Sequence, residues 1–482
     1  MGYIESDYAP LVELYEASKK KAMQYVVTGK TGPLGAAADR YGKYIPCYYA
    51  GYKTRYAFYI RDYAHQDMGA SLLGLHEENY RMMKAFADHC TERRQWFTVW
   101  ALNFDGSEYD GDYRNDDDFI REIPSMFELV ETAYRLYRWT GDKRYIDDDM
   151  FKFYTHVMVD FVELFDKDGN GIPESTGTSG NIEDGVTCTY DERGFVHLKE
   201  SGDEIGCMYQ AMLAYAGICD ARGDETAYDL WMKKAEELKR YFNDEWSVKD
   251  GDKNGLYVHG IDFDGNKYDY YKLETSYFMA LKQVLDGGQR AQSFLSHINE
   301  LQGKGIGSET ANSNIEGYTY WPWLNFAYGR CEDGWNWMKY IFSQWNLPHE
   351  SYRQGPCWYY PELSYTMLSN TVNGLMGLEP DVPNGIISSL SRLPDEIRYL
   401  TLQEQEIGGN VIELMHTGRD LSTMRNLEGD TFIWRACFYG NAEYLQVDSE
   451  QVKAEHTVIN GIDVSYVDVE VKPYGLHTVM NR

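Results

Sequence analysis

Up to about residue 375 the apolar residues recur with the period of a helix. Between 203 and 219, Ile205, Met208, Tyr209, Met212 and Leu213 fall at i, i+3, i+4, i+7 and i+8, one apolar stripe, and Asp203 stands where an N-cap would stand. The stretch 123–140 puts Phe127, Val130, Tyr134 and Tyr137 on one face, with Pro124 suited to a first turn because an N–H is not needed there. Trp139-Thr140-Gly141-Asp142 and Ala221-Arg222-Gly223-Asp224 are turn signatures: Gly ends one helix in the left-handed conformation and Asp caps the next. The pattern predicts helices over 5–27, 60–74, 77–92, 122–140, 143–165, 203–221, 224–243, 273–286, 289–301, 319–330, 332–346 and 358–376. These pair into six hairpins, and six hairpins closed in a ring make an (α/α)6 barrel.

After Pro380 the period changes. Arg398-Tyr-Leu-Thr-Leu, Val411-Ile-Glu-Leu-Met-His, Thr431-Phe-Ile-Trp-Arg-Ala-Cys-Phe and Val464-Ser-Tyr-Val-Asp-Val-Glu-Val alternate or are β-branched, with Gly, Asn and Asp between them. The expectation is a mainly α chain: a barrel over 1–385, then a small antiparallel β domain over 386–482, sandwich-like. Long loops at 101–121, 166–202, 247–272 and 302–318, rich in Asp, Glu, Gly and Tyr, would gather at one mouth of the barrel and form a pocket.

Charge removes several partners. Of 482 residues, 46 are Lys or Arg and 76 Asp or Glu, a net charge of -30, which repels phosphate backbones and anionic membranes. Neither nucleic acid nor a membrane is expected, and no window approaches 18 apolar residues. Aromatic residues reach 15%, with 42 Tyr and 12 Trp. Their flat faces and polar edges suit sugar rings, and equally suit a large core. The eight Cys form no CxxC pair and read as reduced thiols; the N-terminus lacks the basic and apolar stretches of a secretion signal, so a cytoplasmic location is expected. His76-Glu-Glu-Asn-Tyr lacks the second His of a zincin helix, Gly177-Thr-Ser-Gly-Asn is no nucleophile elbow, and neither a Walker A nor a dinucleotide fingerprint occurs. No metal and no cofactor are expected.

Five segments carry candidate chemistry. Arg61 and Asp62, at a helix start, offer a donor fork and an acceptor to neighbouring hydroxyls. Segment 346–362 holds Glu350, Arg353, Trp358 and Glu362 among aromatic, Gly and Pro residues, where a carboxylate could activate water or pair with Arg353. Loop 166–204 holds Glu174, Glu183, Asp184, Asp191, Glu192, Glu200, Asp203 and Glu204; a general acid would be one that is partly buried. Asp166-Lys-Asp168-Gly-Asn170-Gly171 has the spacing of half a calcium loop, but Gly177 stands where its closing Glu would be, so a plain turn is expected. Glu316-Gly-Tyr318-Thr-Tyr320-Trp321-Pro-Trp323 is either an aromatic wall or core packing.

The Arg61-Asp62 pair resembles the Arg-Asp of glucoamylases and neutral invertases, where it binds the terminal sugar. Segment 346–379, with Glu350, Trp358 and Asn370-Thr-Val-Asn-Gly-Leu-Met-Gly-Leu-Glu-Pro, resembles the last hairpin of the six-hairpin glycosidases, among them trehalases, processing α-glucosidases and α-L-rhamnosidases. Glu406-Ile-Gly-Gly-Asn-Val-Ile-Glu-Leu-Met-His resembles the β domain that follows the barrel in α-L-rhamnosidases. The N-terminal β-sandwich common in these families has no counterpart, and their Trp-Glu-Glu acid motif is missing. The resemblance implies an exo-acting, inverting glycoside hydrolase for an α-linked glucoside or rhamnoside. Glu350 would be the base and Glu200 the acid, with Glu362 and Asp203 as their alternatives. Arg61 and Asp62 would hold the terminal ring, with Tyr320, Trp321, Trp323 and Trp358 as walls. The alternatives are another helical-barrel sugar enzyme (a disaccharide phosphorylase, a lyase, or an epimerase leaning on His65) and a non-catalytic glycan-binding protein.

Overall fold

The computed structural model describes residues 1–192, 196–249, 255–272, 275–350 and 355–481. Among them the predicted helices form with shifted ends: α1 (Ala9–Gln24), α2 (Ile60–Leu72), α3 (His76–His89), α4 (Ile123–Thr140) and α5, which runs from Asp148–Thr155 through a π-helical stretch, His156–Phe161, into Val162–Phe165. They continue with α6 (Gly202–Ala221), α7 (Glu225–Glu245), α8 (Thr275–Leu281), α9 (Gly288–Gln302), α10 (Trp321–Ala327), α11 (Cys331–Gln344) and α12, Pro361–Ser369 continued by Asn370–Leu375. The even-numbered helices form an inner ring, each packed on the next and α12 closing on α2; the odd-numbered ones pack outside. Most residues of α4 and α6 are buried, as an inner position requires. The turn signatures behave as expected: Gly141 (φ 70) closes α4, and Gly223 (φ 83) precedes Asp224, whose side chain accepts from Ala227 N–H.

One glycine sets a crossing. A Cβ on Gly69 of α2 would lie 2.2 Å from the Tyr365 carbonyl oxygen of α12. Only glycine lets these two backbones touch, and their touching brings the starts of α2 and α12 together. Gly69→Ala is expected to cost about 1–3 kcal/mol by overpacking, despite alanine's better helix propensity. Urea unfolding would read this as a lower midpoint, and an unchanged midpoint would mean that the crossing yields.

Three expectations need correction. Asp203 is not the cap of α6: Ser201 is, in a capping box with Glu204, so the helix begins earlier and Asp203 sits in its first turn. The β domain does not begin at 386, because strand Glu379–Asp381 already belongs to it and Tyr3–Ser6 pairs with Tyr399–Ile407 as the edge of its larger sheet. Segment 5–27 therefore opens as a strand. The domain holds a seven-stranded and a five-stranded sheet, antiparallel except where Ile386–Leu390 runs parallel to Phe432–Tyr439.

Candidate active site

The inner helices all point the same way. Their N-terminal ends and the loops before them surround a pocket of about 90 Å³, lined by Gly51, Tyr52, Arg55, Tyr59, Arg61, Asp62, Trp100, Glu192, Glu316 and Tyr360. Their C-terminal ends surround a second cavity of about 460 Å³ on the barrel axis, facing Ile459 and Asn460 of the β domain. Helix dipoles make the first end positive and the second negative. The carboxylates Asp62, Glu122, Asp203 and Glu362 accordingly stand at inner-helix N-termini, while Arg138 and Lys282 stand near C-termini.

Asp62 lines the pocket, and Glu362 lies behind it, joined to it through Tyr360. The Tyr360 hydroxyl lies 2.6 Å from Asp62 Oδ1 and 3.0 Å from Glu362 Oε2, bridging the two carboxyls. Glu362 Oε1 accepts from Thr319 Oγ1 at 2.6 Å and meets the Tyr320 hydroxyl, which also meets His65 Nδ1. The other ring nitrogen, His65 Nε2, lies 3.0 Å from Glu128 Oε1. Glu128 is anchored by Lys282 Nζ at 2.7 Å and by the Tyr190 hydroxyl at 2.5 Å. Burial, then Asp62, pushes the Glu362 carboxyl far above the usual range; burial also raises Asp62, against the pull of Arg61. Burial would raise Glu128 too, but Lys282 and His65 outweigh it and hold this carboxyl well below its ordinary value. Burial lowers the His65 imidazole, against the pull of the Glu128 carboxylate.

The pocket has two flanks. On one, Arg61 Nη2 is 4.0 Å from Glu192 Oε1 and its guanidinium lies over the Tyr190 ring. Behind Trp100, the buried Glu122 accepts from the indole N–H at 2.7 Å, and burial raises its carboxyl far above the usual range. On the other flank Glu316 lines the wall, with His349 Nε2 3.2 Å away. Glu350 follows His349 at the rim, exposed, accepting from Ser313 at 3.1 Å. Arg353, its expected partner, lies outside the described residues.

Of the residues singled out in the sequence, Arg61 and Asp62 line this pocket, Glu362 lies against Tyr360 behind it, and Glu350 stands beyond His349 on one flank. Glu200 is not at the pocket. The pairing of Leu198–Ser201 with Gly260–Asp262 turns its carboxylate toward Asn170 (2.8 Å) and Lys199 (3.1 Å). Lys199 also meets Asp168 and Glu174, so one ammonium already sits among these three clustered carboxylates. The Asp166 segment is the expected turn, its carboxylate accepting from the backbone of Gly169, Asn170 and Gly171. Asp203 is held by Ser201, Thr189 and the Tyr190 N–H, and burial lifts it to about 6.

The expected walls are not the walls. Trp321 is core, packed on Tyr277 and Trp337, because the first turn of α10 faces the neighbouring helices. Trp323, two residues on, faces the axial cavity, and Tyr320 lies between that cavity and Glu362. Trp358 lies under the Lys21 ammonium, 4.0 Å from the ring centre. The aromatic surface is instead Tyr52, Tyr59, Trp100 and Tyr360. Tyr59 and Tyr360 belong to segments that the sequence singled out, beside Arg61-Asp62 and within 346–362, whereas Tyr52 and Trp100 carry no signal of their own; the meeting of all four depends on where the ring of helices places the segments before it.

No protein-family model matches the chain, and no curated relative matches it. Solved structures do. A GH78-family rhamnosidase of Bacillus sp. GL1 superposes with a TM-score of 0.62 at 12% identity, over 88% of this chain and 40% of that one. An α-L-rhamnosidase from Dictyoglomus thermophilum gives 0.59 at 12%, over 100% and 50%. The chain has the fold of the (α/α)6-barrel glycosidases. A putative kojibiose phosphorylase from the human microbiome shares it too, with a TM-score of 0.54 at 10% identity over 98% of this chain and 63% of that one. The chain spans half or less of the length of either rhamnosidase. All eight cysteines are free, and among the described residues no helix is long and apolar enough to cross a membrane.

Proposed function

We propose that the protein is an exo-acting glycoside hydrolase that releases a terminal, neutral sugar with inversion. The observation that carries this is the small pocket that Arg61, Asp62 and Tyr360 line together, whose volume of about 90 Å³ favours one terminal residue over a chain passing through. Asp62 accepts from sugar hydroxyls and Arg61 donates to them. Glu192, on the loop where the acid was sought, donates a proton to the leaving oxygen. Glu316, on the facing flank, takes a proton from water, with Glu350 above it at the rim. Inversion needs the two carboxyls roughly 6.5–9.5 Å apart, leaving room for that water.

The test is sugar release from α- and β-linked aryl glycosides and disaccharides, with Asp62→Asn, Glu316→Gln and Glu350→Gln beside the parent. One terminal sugar released, with inverted anomeric configuration and none from Asp62→Asn, is the expected result. Retained configuration would overturn inversion, and no release from any glycoside would overturn hydrolysis in favour of binding alone. Arg55 and Arg61 both line the pocket and could meet a phosphate, which gives phosphorolysis its one specific support. Turnover that rises only with added phosphate would select it.

A further inference from the structure

The chain of groups beneath the pocket contains more contacts than protons, and with burial disfavouring a charged His65 ring the contacts can be counted against the hydrogens available. Glu128 lies between Lys282 and the Tyr190 hydroxyl, both donors, so it is a carboxylate. His65 Nε2 faces that carboxylate at 3.0 Å and therefore carries the ring proton. In the neutral ring this leaves Nδ1 as an acceptor, and the only hydrogen on the Tyr320 hydroxyl goes to it. The same Tyr320 oxygen also meets Glu362 Oε1. With its hydrogen already given to His65, that oxygen can only accept, so the proton in this contact must be on Glu362. At the other end Tyr360 has one hydrogen for two carboxyls and sits closer to Asp62, 2.6 Å against 3.0 Å.

We propose that the Asp62–Glu362 pair stores a single proton on Glu362, that Asp62 is thereby the pair's one carboxylate, and that His65 is a positioning residue which, through the Tyr320 hydroxyl, keeps the proton where it is. Two buried carboxylates bridged by one phenol would repel each other, and a neutral Glu362 removes that repulsion. The charged and titratable groups that face this assembly are Arg61 on α2, Arg55 and Glu316 from the loops, Glu128 on α4 and Lys282 after α8. The arrangement assigns Glu362 a role distinct from general base: it is a neutral support. It also sets the chemistry of the ligand, since a pair with one anion beside Arg61 takes hydroxyl donors rather than a cation. That last consequence rests on the sugar-binding reading above; the proton assignment does not.

The test is made on the free protein at neutral pH. The infrared difference spectrum of parent minus Glu362→Gln is expected to contain the carbonyl stretch of a protonated carboxylic acid, shifted on deuteration. Absence of that band would overturn the proposal. Should the variant fail to fold, nitrogen-15 NMR of histidine-labelled parent protein decides: His65 is expected as the neutral tautomer protonated at Nε2, and an imidazolium would overturn the proposal by placing the proton on the ring. In function, the fall in the parent's sugar affinity at high pH, which ionisation of Glu362 causes, is expected to be absent from Glu362→Gln; a fall of the same size in the variant would overturn the proposal. Failure of hydrolysis with the infrared and NMR results intact would count against the proposed function alone.

Discussion

Replacing Lys282 with methionine is expected to cost about 3–5 kcal/mol of stability, the usual result of leaving buried charges without their partner. Lys282 is itself buried, 2.7 Å from Glu128 and 2.5 Å from Glu131. Burial would lower its ammonium, but the two carboxylates outweigh burial and raise it. Methionine keeps the stem's volume and removes only the charge. Arg135 cannot take over, because it is committed to Asp67 at 2.9 Å and to Glu131 at 3.2 Å. The pH dependence should change sign. In the parent, the folded-state pKa of Glu128 is depressed, so its contribution is present above the unfolded value near about 4.3 and is lost as pH falls toward the folded one. Without Lys282, burial dominates and raises Glu128, so the variant loses stability as pH rises toward neutrality. The gap between variant and parent in urea midpoint should therefore narrow from pH 7 to pH 5, and Lys282→Met combined with Glu128→Gln should recover part of the loss. A single-variant cost below about 1 kcal/mol would mean that this pair contributes as little as an exposed one.

Glu192→Gln and Glu316→Gln are each expected to lower kcat by about 10²- to 10⁴-fold, the range that a positioned acid or base supplies. The two losses should differ in kind. A nitrophenyl leaving group departs without a proton, so the Glu192→Gln loss should shrink on nitrophenyl glycosides and be full on disaccharides. The Glu316→Gln loss should be the same on both, because water must be deprotonated in either case. Equal behaviour of the two variants across these substrates would remove the division of labour. If Glu350→Gln shows the Glu316 pattern and Glu316→Gln does not, water is activated from the rim.

Much of the architecture was legible in the chain. The stripes at 123–140 and 203–219, the Gly141 and Gly223 turns and the change of period after Pro380 became an inner ring, its turns and a β domain. The Arg61-Asp62 pair was legible because adjacent complementary charges at a helix start are a local pattern. Glu200 misled because its partners, Asn170 and Lys199, belong to a turn and strand whose pairing with Gly260–Asp262 is long-range. Glu122 was passed over because in sequence it only ends a polar loop; burial behind Trp100 is what makes it unusual.

The sequence by itself determined the helices, their order, the β domain and the acidic, aromatic loops, because periodicity and turn chemistry act within a few residues. Only the tertiary structure decided which loops meet, since ring closure of α12 on α2, permitted by Gly69, joins residues about 300 positions apart. Tyr360 bridges Asp62 and Glu362 for that reason, and the energy of a buried carboxyl depends on such neighbours rather than on its place in the chain.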